Sequence, residues 1–380
     1  MDGMKKAVKI TAIALASIIG LAILAVAGYV IYVAAQYYRI DDNIVLEVSG
    51  TAENSNVSQN TEYSLLTYNL GFGSYSPEYS FFMDTGVMND GRKVAGKYAK
   101  GMSKADVRKN VDGQIELAKQ NGCDFYFFQE VDERADRSYE INMKDEICAA
   151  LSNYTSTYAK NFHTAKLLYP FSDPIGKSES GILTLSRFEI DSSLRRSFPI
   201  TSSFPDKFFD LDRCFSLNYL PVEGSDKQLT LLNLHMSAYD EGGKIRAQQL
   251  KMLNEVLTLE REKGNFVIAG GDFNHCLIAD RFATDDEALN YFESQQRVPD
   301  WVKNSILHSD EIAQGYTIAA PMNAATCRGA DIPYVSGVNY STVIDGFLVS
   351  DNIEIIENTT VDTQYAFSDH NPVYLKFKLK

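Results

Sequence analysis

The sequence predicts a layered α/β or α+β domain with a sheet-based core, placed behind an N-terminal membrane helix. From Ser64 onward, apolar strand-like segments alternate with amphipathic helical segments, which is typical of such layered domains. With 380 residues, 45% of them hydrophobic, the chain can bury a large core. A long uncharged run near the N-terminus predicts the membrane helix.

The uncharged run extends from Ile10 to Ala35 and follows a short basic N-terminus, residues 1–9. About 26 residues are long enough to cross a bilayer with some tilt. A cleavable signal peptide is the alternative, because Val33-Ala34-Ala35 offers small residues to a peptidase, but its apolar region should be only about 7 to 15 residues long. We therefore expect an uncleaved signal anchor over residues 10–35.

The charges around this helix predict its orientation. Lysines precede it and two aspartates follow soon after it, so the N-terminus should be cytoplasmic. Residues 36–61 are polar and lack sustained periodicity, which predicts a linker. Residues 62–380 would then form a large domain outside the cell membrane, on a single-pass protein.

The composition argues against two classes of function. A formal net charge of −14 would repel the phosphates of a polyanion over most of the surface, which disfavours indiscriminate duplex binding. The five cysteines show no paired CxxC spacing, so a structural zinc site is not expected and no disulfide is predicted. A local basic run from Arg92 to Lys109 could still attract a compact anionic substrate through Lys93, Lys97 and Lys100; a solvated helix face is the alternative.

The predicted elements follow one another from Ser64 to the C-terminus. "YSLLTYNL" is a strand that ends near Asn69, "VRKNVDGQIELAKQNG" is a helix that stops at Gly122, and "DFYFFQEV" is a second strand. A long helix should run from about Gly243 to Glu262. Further strands are predicted at "GILTLSRF", "CFSLNYLPV", "QLTLLNLHM", "FVIAGGDF", "VIDGFLV" and "PVYLKFKLK".

Polar side chains stand at or near the ends of these apolar segments. Asp272 and Asn274 come after two glycines that let the backbone turn, and residues two apart on an extended chain point the same way. Each polar residue alone could cap a turn, but side chains from several strand ends can converge in one crevice above a sheet. The set is Asn69, Gln129, Glu130, His235, Asp272, Asn274, Asp345, Asp369 and His370.

The chemistry of this set favours metal-assisted hydrolysis. Carboxylates and carboxamides without cysteine suit a hard cation, Mg²⁺ or alternatively Mn²⁺, and the two histidines add donors for a developing oxyanion. The sequence contains no Ser-centred nucleophile elbow and no Walker-type phosphate loop. Attack of water on a phosphate ester is therefore the reaction that fits best.

The ordered motifs "TYN", "FQEVD", "NLHMS", "GGDFNHC", "VIDGFLVS" and "FSDHNPV" resemble the endonuclease/exonuclease/phosphatase superfamily over roughly residues 62 to 380. Its members include DNase I-like nucleases, abasic-site endonucleases, inositol polyphosphate 5-phosphatases and bacterial sphingomyelinases. The resemblance implies a four-layer sandwich, in which two mixed β-sheets are flanked by helices. It also implies a Mg²⁺-dependent phosphoesterase.

The resemblance assigns metal and water chemistry to separate groups. Glu130 would be the principal metal ligand, and Asn69 and Asp369 would lie close to the metal or the phosphate. Asp272, assisted by Asn274, would orient or deprotonate the attacking water.

The remaining polar residues would be phosphate donors or their partners. His370, held in its tautomer by Asp345, would donate to a phosphoryl oxygen, and His235 would be a second donor. In DNase I-like members an acid pairs with the histidine that corresponds to His235, and Glu179 in "SESGILTLSRF" is the candidate for that acid.

Two questions stay open at the level of sequence. The substrate class can be a nucleic acid or a phospholipid or inositol phosphate, and a non-catalytic surface module on the same fold is the competing function.

The stretch from Ser76 to Ser103 has no simple counterpart in the nucleases of the family, so we expect a loop near the cleft that decides specificity. The expected partners are the membrane and the substrate, with no obligate protein partner.

Overall fold

The computed structural model describes residues 2–201, 203–204, 206–238 and 243–380. Its helices are α1 (Asp2–Gln36), α2 (Lys104–Asn121), α3 (Met143–Ala150), α4 (Lys244–Glu262), α5 (Asp285–Leu289) and α6 (Asp300–Lys303). Its strands are β1 (Ile44–Val45), β2 (Val48–Gly50), β3 (Glu62–Asn69), β4 (Thr85–Val87), β5 (Lys93–Ala95), β6 (Phe125–Ala135), β7 (Thr155–His163), β8 (Ser178–Ser186), β9 (Ser192–Ser197), β10 (Cys214–Pro221), β11 (Gln228–His235), β12 (Phe266–Asp272), β13 (Tyr316–Ala319), β14 (Cys327–Arg328), β15 (Ser341–Thr342), β16 (Asp345–Ser350), β17 (Ile353–Thr360) and β18 (Val373–Leu379).

Two mixed sheets of seven strands each form the centre of the domain. The first sheet has the strand order β1-β9-β10-β11-β12-β16-β13, and the second has the order β17-β18-β3-β6-β8-β7-β2. Only β11 with β12 and β3 with β6 are parallel neighbours in the described chain. This arrangement confirms the predicted fold class.

Residues that alternate along each strand face different layers. In β6, Phe125 and Phe127 lie in the core between the two sheets, whereas Tyr126 and Phe128 pack toward the helices. Helices α2 and α3 cover this outer face of the second sheet, and α4 covers the outer face of the first. Because both faces of the central strands are buried, strands such as β6, β11 and β12 are rich in apolar residues on both faces.

A buried polar contact ties the two sheets together just below one end of the sandwich. The Gln129 side-chain amide in β6 donates to Asn233 Oδ1 in β11 over 2.8 Å, and both residues have no exposed surface. Asn233 in turn donates to the Leu183 carbonyl oxygen at 3.1 Å. Such a satisfied polar contact fixes how one sheet is placed on the other.

The predicted elements from Ser64 to the C-terminus are all present, with ends shifted by a few residues. Helix α2 ends as predicted at Gly122, which adopts the left-handed conformation with φ of 55°. The long predicted helix is α4. The sequence did not predict β7, β9, β13 or β17, which are more polar or shorter than the strands it identified.

Helix α1 begins earlier than the predicted membrane segment and includes its lysines. Among the described residues it is the one helix long and apolar enough to cross a membrane. A signal sequence near the N-terminus can also meet this criterion of length and hydropathy. Most of its large apolar side chains are exposed, as expected for a segment that meets lipid or a translocation channel.

The predicted linker is not a free tether, and this prediction needs correction. Strand β1 pairs with β9 at the edge of the first sheet, and β2 pairs with β7 at the edge of the second. The backbone amides of Asn54 and Val57 donate to carbonyl oxygens of Arg187 and Pro221. The exposed N–H and C=O groups of two sheet edges supply the pairing that a polar, aperiodic sequence does not signal.

Buried His275, which follows the turn after β12, gives a prediction about acid stability. Burial lowers the pKa of its imidazole to about 4, although the Phe273 carbonyl oxygen accepts a 2.6 Å hydrogen bond from Nδ1. The folded protein then binds this proton less well than the unfolded chain, whose histidine has a pKa of about 6.5. The neutral histidine therefore gives stability that is present above pH 6.5 and is lost as the pH falls toward 4.

His275→Asn keeps a side-chain amide donor and removes the titrating ring. We expect it to flatten the loss of stability between about pH 6.5 and 4, a loss of roughly 3 kcal/mol in the wild type. Denaturant unfolding at a series of pH values measures this. An unchanged pH dependence in the variant would show that His275 is not the group responsible.

Candidate functional site

Three neighbouring strands bring acidic and histidine side chains to one end of the first sheet. His235, the last residue of β11, is the register partner of Asp272 in β12, and Asp272 is the register partner of Asp345 in β16. Gly271 permits the close approach, because a Cβ atom there would lie 2.0 Å from the Leu234 carbonyl oxygen. The two glycines of "GGDFN" thus let β12 lie close to its neighbours, and the aspartate that follows them places a carboxylate between the ends of β11 and β16.

Asp272 is the hub of the site. Its Oδ2 accepts a 3.0 Å hydrogen bond from Asn69 Nδ2, and its Oδ1 accepts a 2.9 Å bond from the Asn274 backbone amide. His235 Nε2 lies 3.4 Å and His370 Nε2 3.8 Å from Oδ2. Burial raises the pKa of Asp272 to about 7, with nearby His370 opposing and Asp345 adding to the rise. A carboxylate with this pKa is suited to act as a general base near neutral pH.

His370 and Asp345 form a buried pair. The His370 Nδ1 lies 2.8 Å from Asp345 Oδ2, and both side chains are almost fully buried. Burial by itself disfavours the imidazolium, but the Asp345 carboxylate outweighs it and raises the pKa of His370 well above its usual value. With Nδ1 held by the carboxylate, Nε2 is the nitrogen presented to the site as a proton donor.

His235 has the opposite electrostatic character. Burial lowers its pKa well below the usual value, and the positive charges of Arg213 and His370 lower it further. It is therefore neutral at pH 7. Its Nδ1 is buried and has no hydrogen-bond partner in the described part of the chain.

Glu130 and Asp369 form the acidic side of the site, and Asn69 joins it to Asp272. Glu130 lies at a β-bulge in β6 with φ of 53°, a left-handed conformation that costs energy for a residue with a side chain. Asn69 Nδ2 lies 3.3 Å from Glu130 Oε1, and its Oδ1 accepts from the Gly71 amide at 3.0 Å. The residues that sequence assigned to the metal therefore lie in one group.

The donor chemistry of this group fits a divalent cation. Burial raises the pKa of Glu130, and the neighbouring Asp369 carboxylate raises it further although Arg137 opposes the rise. Burial also raises the pKa of Asp369. Neither carboxylate forms a salt bridge to any described residue. A hard cation bound between them would offset the repulsion between their negative charges.

A second arrangement in the same site also meets the geometric needs of a metal. One ligand atom each from Asp272, Asp345 and His370 lie within 4.8 Å of one another. In this case, the Asp345–His370 hydrogen bond already accounts for the close approach. We therefore assign the carboxylates of Glu130 and Asp369 as the better candidate ligands.

The structure contradicts the prediction that Glu179 is the acid partner of His235. Glu179 lies 3.1, 3.0 and 2.8 Å from Arg134, Lys160 and Lys177, respectively. Burial alone would raise its pKa, but these cations together lower it to about 2. The next residue, Ser180, faces the other side of β8, and a register error of one residue reverses the face of a strand.

Glu179→Gln is consequently expected to change kcat by less than about twofold, because none of the contacts of this partly buried carboxylate reaches a residue of the site. Steady-state kinetics on any turned-over phosphate ester measures this. A loss of kcat as large as that of His235→Ala would restore the predicted pairing.

The predicted substrate lysines are not brought to the site by any described contact. Lys100 forms a 2.8 Å ion pair with Asp173, which already neutralises its charge. Lys93 and Lys97 are exposed, and Lys93 lies on the two-stranded ribbon of β4 and β5. A role of Lys93 and Lys97 in attracting substrate remains a prediction.

Arg213, a buried arginine directly before β10, was not predicted from the sequence. Its side chain is 5% exposed, and its Nε and Nη1 have no partner among the described residues. Its positive charge lowers the pKa values of both His235 and Glu130. Knowledge of the β10–β11 register would have been needed to find it, because the pairing of Phe215 with Leu234 places Arg213 beside the end of β11. A guanidinium so placed can bind a phosphate oxygen.

Comparisons with known proteins identify the family and the fold of the chain. A model of the Endonuclease/Exonuclease/phosphatase family matches residues 66–370. Among curated proteins, no significant match is found.

Two solved structures share the fold. An endonuclease/exonuclease/phosphatase from Beutenbergia cavernae has 13% identity and a TM-score of 0.55, over 84% of this chain and 72% of that chain. An endonuclease/exonuclease/phosphatase family protein from Leptotrichia buccalis has 12% identity and a TM-score of 0.52, over 83% of this chain and 100% of that chain. At these identities the likeness concerns the fold alone, but the family model spans most of the sequence, and the chain therefore belongs to the Endonuclease/Exonuclease/phosphatase family.

Proposed function

We propose that the protein is a membrane-tethered, divalent-metal-dependent hydrolase of phosphate esters, with its catalytic domain outside the cell membrane. The observation that carries this proposal is the position of Asp272, a buried carboxylate with a raised pKa that lies between Asn69 and two histidines of opposite charge state. Family membership and the alternation of strands and helices support it.

Each residue has a distinct part in the proposed reaction. Asp272 accepts the proton of the attacking water, and the Asn274 amide keeps its carboxylate oriented. Protonated His370 donates from Nε2 to a phosphoryl oxygen, and Asp345 holds the ring. Neutral His235 and the guanidinium of Arg213 add donors to the same phosphate.

The metal site of the proposal consists of Glu130 and Asp369. A bound Mg²⁺ or Mn²⁺ would stabilise negative charge on the phosphate oxygens. Asn69 connects the two halves of the site, since its amide contacts both Glu130 and Asp272. Glu130 lies at a strained bulge of β6, where the regular pairing with β8 is interrupted.

Two competing functions remain distinguishable. A non-catalytic binding module on the same fold would not need a base, a protonated donor and an acidic metal group in one place, and this chain retains all three. Within the enzyme class, nucleic acid and phospholipid or inositol phosphate are the alternative substrates. The net charge of −14 and the membrane tether favour a compact or membrane-borne phosphate ester over bulk DNA.

The test is a hydrolysis screen of the full chain purified in detergent. The substrates are aryl phosphate mono- and diesters, a single-stranded oligonucleotide, sphingomyelin and phosphoinositides, each with Mg²⁺, Mn²⁺ or EDTA. We expect turnover of at least one of them that EDTA abolishes and that Asp272→Asn lacks. Equal rates for the wild type and Asp272→Asn on all substrates would contradict the proposal.

The orientation has its own test. Protease added to intact cells or spheroplasts should digest the domain if the lysines before α1 keep the N-terminus in the cytoplasm. Complete protection until lysis would contradict the proposed topology without bearing on hydrolysis.

A further inference from the structure

Two loops of the domain present large apolar side chains at the surface, at residues 168–171 in the first loop and at residues 204 and 206–209 in the second. We call them the rim loops. Phe171 is 88% exposed and Tyr169 57%, and in the second loop Phe204 is 67% and Phe209 44% exposed. Clusters of exposed aromatic side chains are uncommon on a protein that meets only water, and they mark an interaction surface.

Both rim loops are packed against the end of α1. The Tyr29 hydroxyl accepts a 2.9 Å hydrogen bond from the Leu168 amide, and Val33 packs against Phe208. The Phe208 ring also meets Tyr37 edge-on at 5.3 Å between centroids, and Phe204 meets Phe208 at 5.7 Å. The exposed aromatic side chains therefore surround the point where the helix leaves the domain.

The contacts of the rim loops extend along the part of α1 that would lie near the membrane surface. Tyr29 lies seven residues before the helix end at Gln36, so the rim loops run beside about 10 Å of an apolar helix. An apolar run of about 26 residues exceeds the length needed to cross a hydrocarbon core of about 30 Å. Its last turns then lie at the headgroup boundary, where aromatic side chains collect.

The chain between α1 and the domain is tied to the domain by hydrogen bonds and ion pairs. The Ile40 amide donates to Asp212 Oδ2 at 2.5 Å, and Arg39 forms a 3.0 Å ion pair with Asp212. Asp42 accepts from the Arg196 guanidinium and from the Ser197 amide, both at 2.9 Å. These contacts would keep the domain beside a bilayer that α1 crosses.

We infer that the catalytic domain docks on the bilayer that α1 enters, with the aromatic side chains of the rim loops inserted at the headgroup boundary. Lys207, whose ammonium lies 5.2 Å from the Tyr37 ring centroid, would meet lipid phosphates from the same surface. The inference rests on the membrane span of the proposed function and is independent of hydrolysis.

The experiment uses the full chain with Trp301, its single tryptophan, replaced by phenylalanine. Phe171→Trp and Phe204→Trp place a fluorescent reporter on each rim loop. Ile356→Trp is the matched control, because this 40% exposed side chain lies on β17, at the opposite edge of the second sheet from β7 and β2. Each variant is reconstituted into phosphatidylcholine vesicles with and without brominated acyl chains and recovered by flotation.

Both rim-loop reporters should lose most of their fluorescence in brominated vesicles and resist aqueous iodide, whereas Ile356→Trp should show the reverse. Iodide quenching of all three in floated vesicles would overturn the inference. Shielding of the rim reporters from both quenchers would also overturn it, because a second copy of the chain would then cover the surface. Failure of the protein to float would overturn the docking and the tether, while hydrolysis in detergent would still stand or fall by the substrate screen.

Discussion

Asp272→Asn is expected to lower kcat by about 10²- to 10⁴-fold, the usual contribution of a positioned general base. The asparagine keeps the shape of the side chain and an acceptor for the Asn274 amide, but it cannot take a proton from water. In the wild type, kcat should rise with pH as the Asp272 carboxyl ionises, at or below about pH 7, because burial raises its pKa to about 7 and a bound cation lowers it. Steady-state kinetics between pH 5 and 9 in saturating metal measures both effects.

The same substitution should raise the melting temperature in metal-free buffer. The pKa of the Asp272 carboxyl is higher in the folded protein than in the unfolded chain, so the folded protein loses stability as the pH rises between these two values. The ionised carboxylate therefore destabilises the fold at neutral pH. Asp331→Asn is the matched control, because Asp331 is 4% exposed and burial raises its pKa too, yet it pairs with Gln296 rather than with a site residue. Comparable losses of kcat in both variants would remove the special role of Asp272.

Glu130→Gln is expected to abolish most of the stabilisation that Mg²⁺ gives to the folded protein. A cation present at about 100 times its dissociation constant stabilises by about 2.7 kcal/mol, and this gain depends on the carboxylates that bind it. Without metal, the variant should be at least as stable as the wild type, because burial raises the pKa of Glu130 and the glutamine carries no charge there. Thermal unfolding with and without Mg²⁺ measures this without any substrate.

Glu133→Gln serves as its control on the same strand. Glu133 is an acid three residues further along β6 whose partners are Lys144 and Lys160, so it should keep the full Mg²⁺ response. If Glu130→Gln retained the wild-type shift in melting temperature, the cation would have to be bound elsewhere, with Asp272, Asp345 and His370 as the next group to test.

The strand-end residues could be predicted from sequence because strong local signals placed them there. Apolar runs in front of His235 and Asp272 identify strands that end there, whereas Asp345 begins β16, which runs antiparallel to β12, so the three side chains lie at the same end of the sheet. The motif order then supplied roles that geometry alone does not. The Asp345–His370 contact, found at 2.8 Å, was expected on this basis.

The residues that sequence missed or misplaced depend on pairing between distant segments. Arg213 belongs to the site only because of the register of β10 on β11, which the local sequence does not encode. Glu179 lies on the face of β8 where Arg134, Lys160 and Lys177 bind it, and neighbouring residues of an extended strand face opposite sides. The segment of β1 and β2 looked like a linker because its ordering comes from the sheet edges that it joins.

The short strands β1 and β2 also determine where a protease could release the domain in soluble form. A cut between α1 and Ile44 leaves both strands paired, with β9 and β7 still covered. A cut between Gly50 and Glu62 would detach the two strands and uncover β9 and β7 as open sheet edges, which recruit other chains and aggregate. A shed form that stays in solution is therefore expected to begin before residue 44.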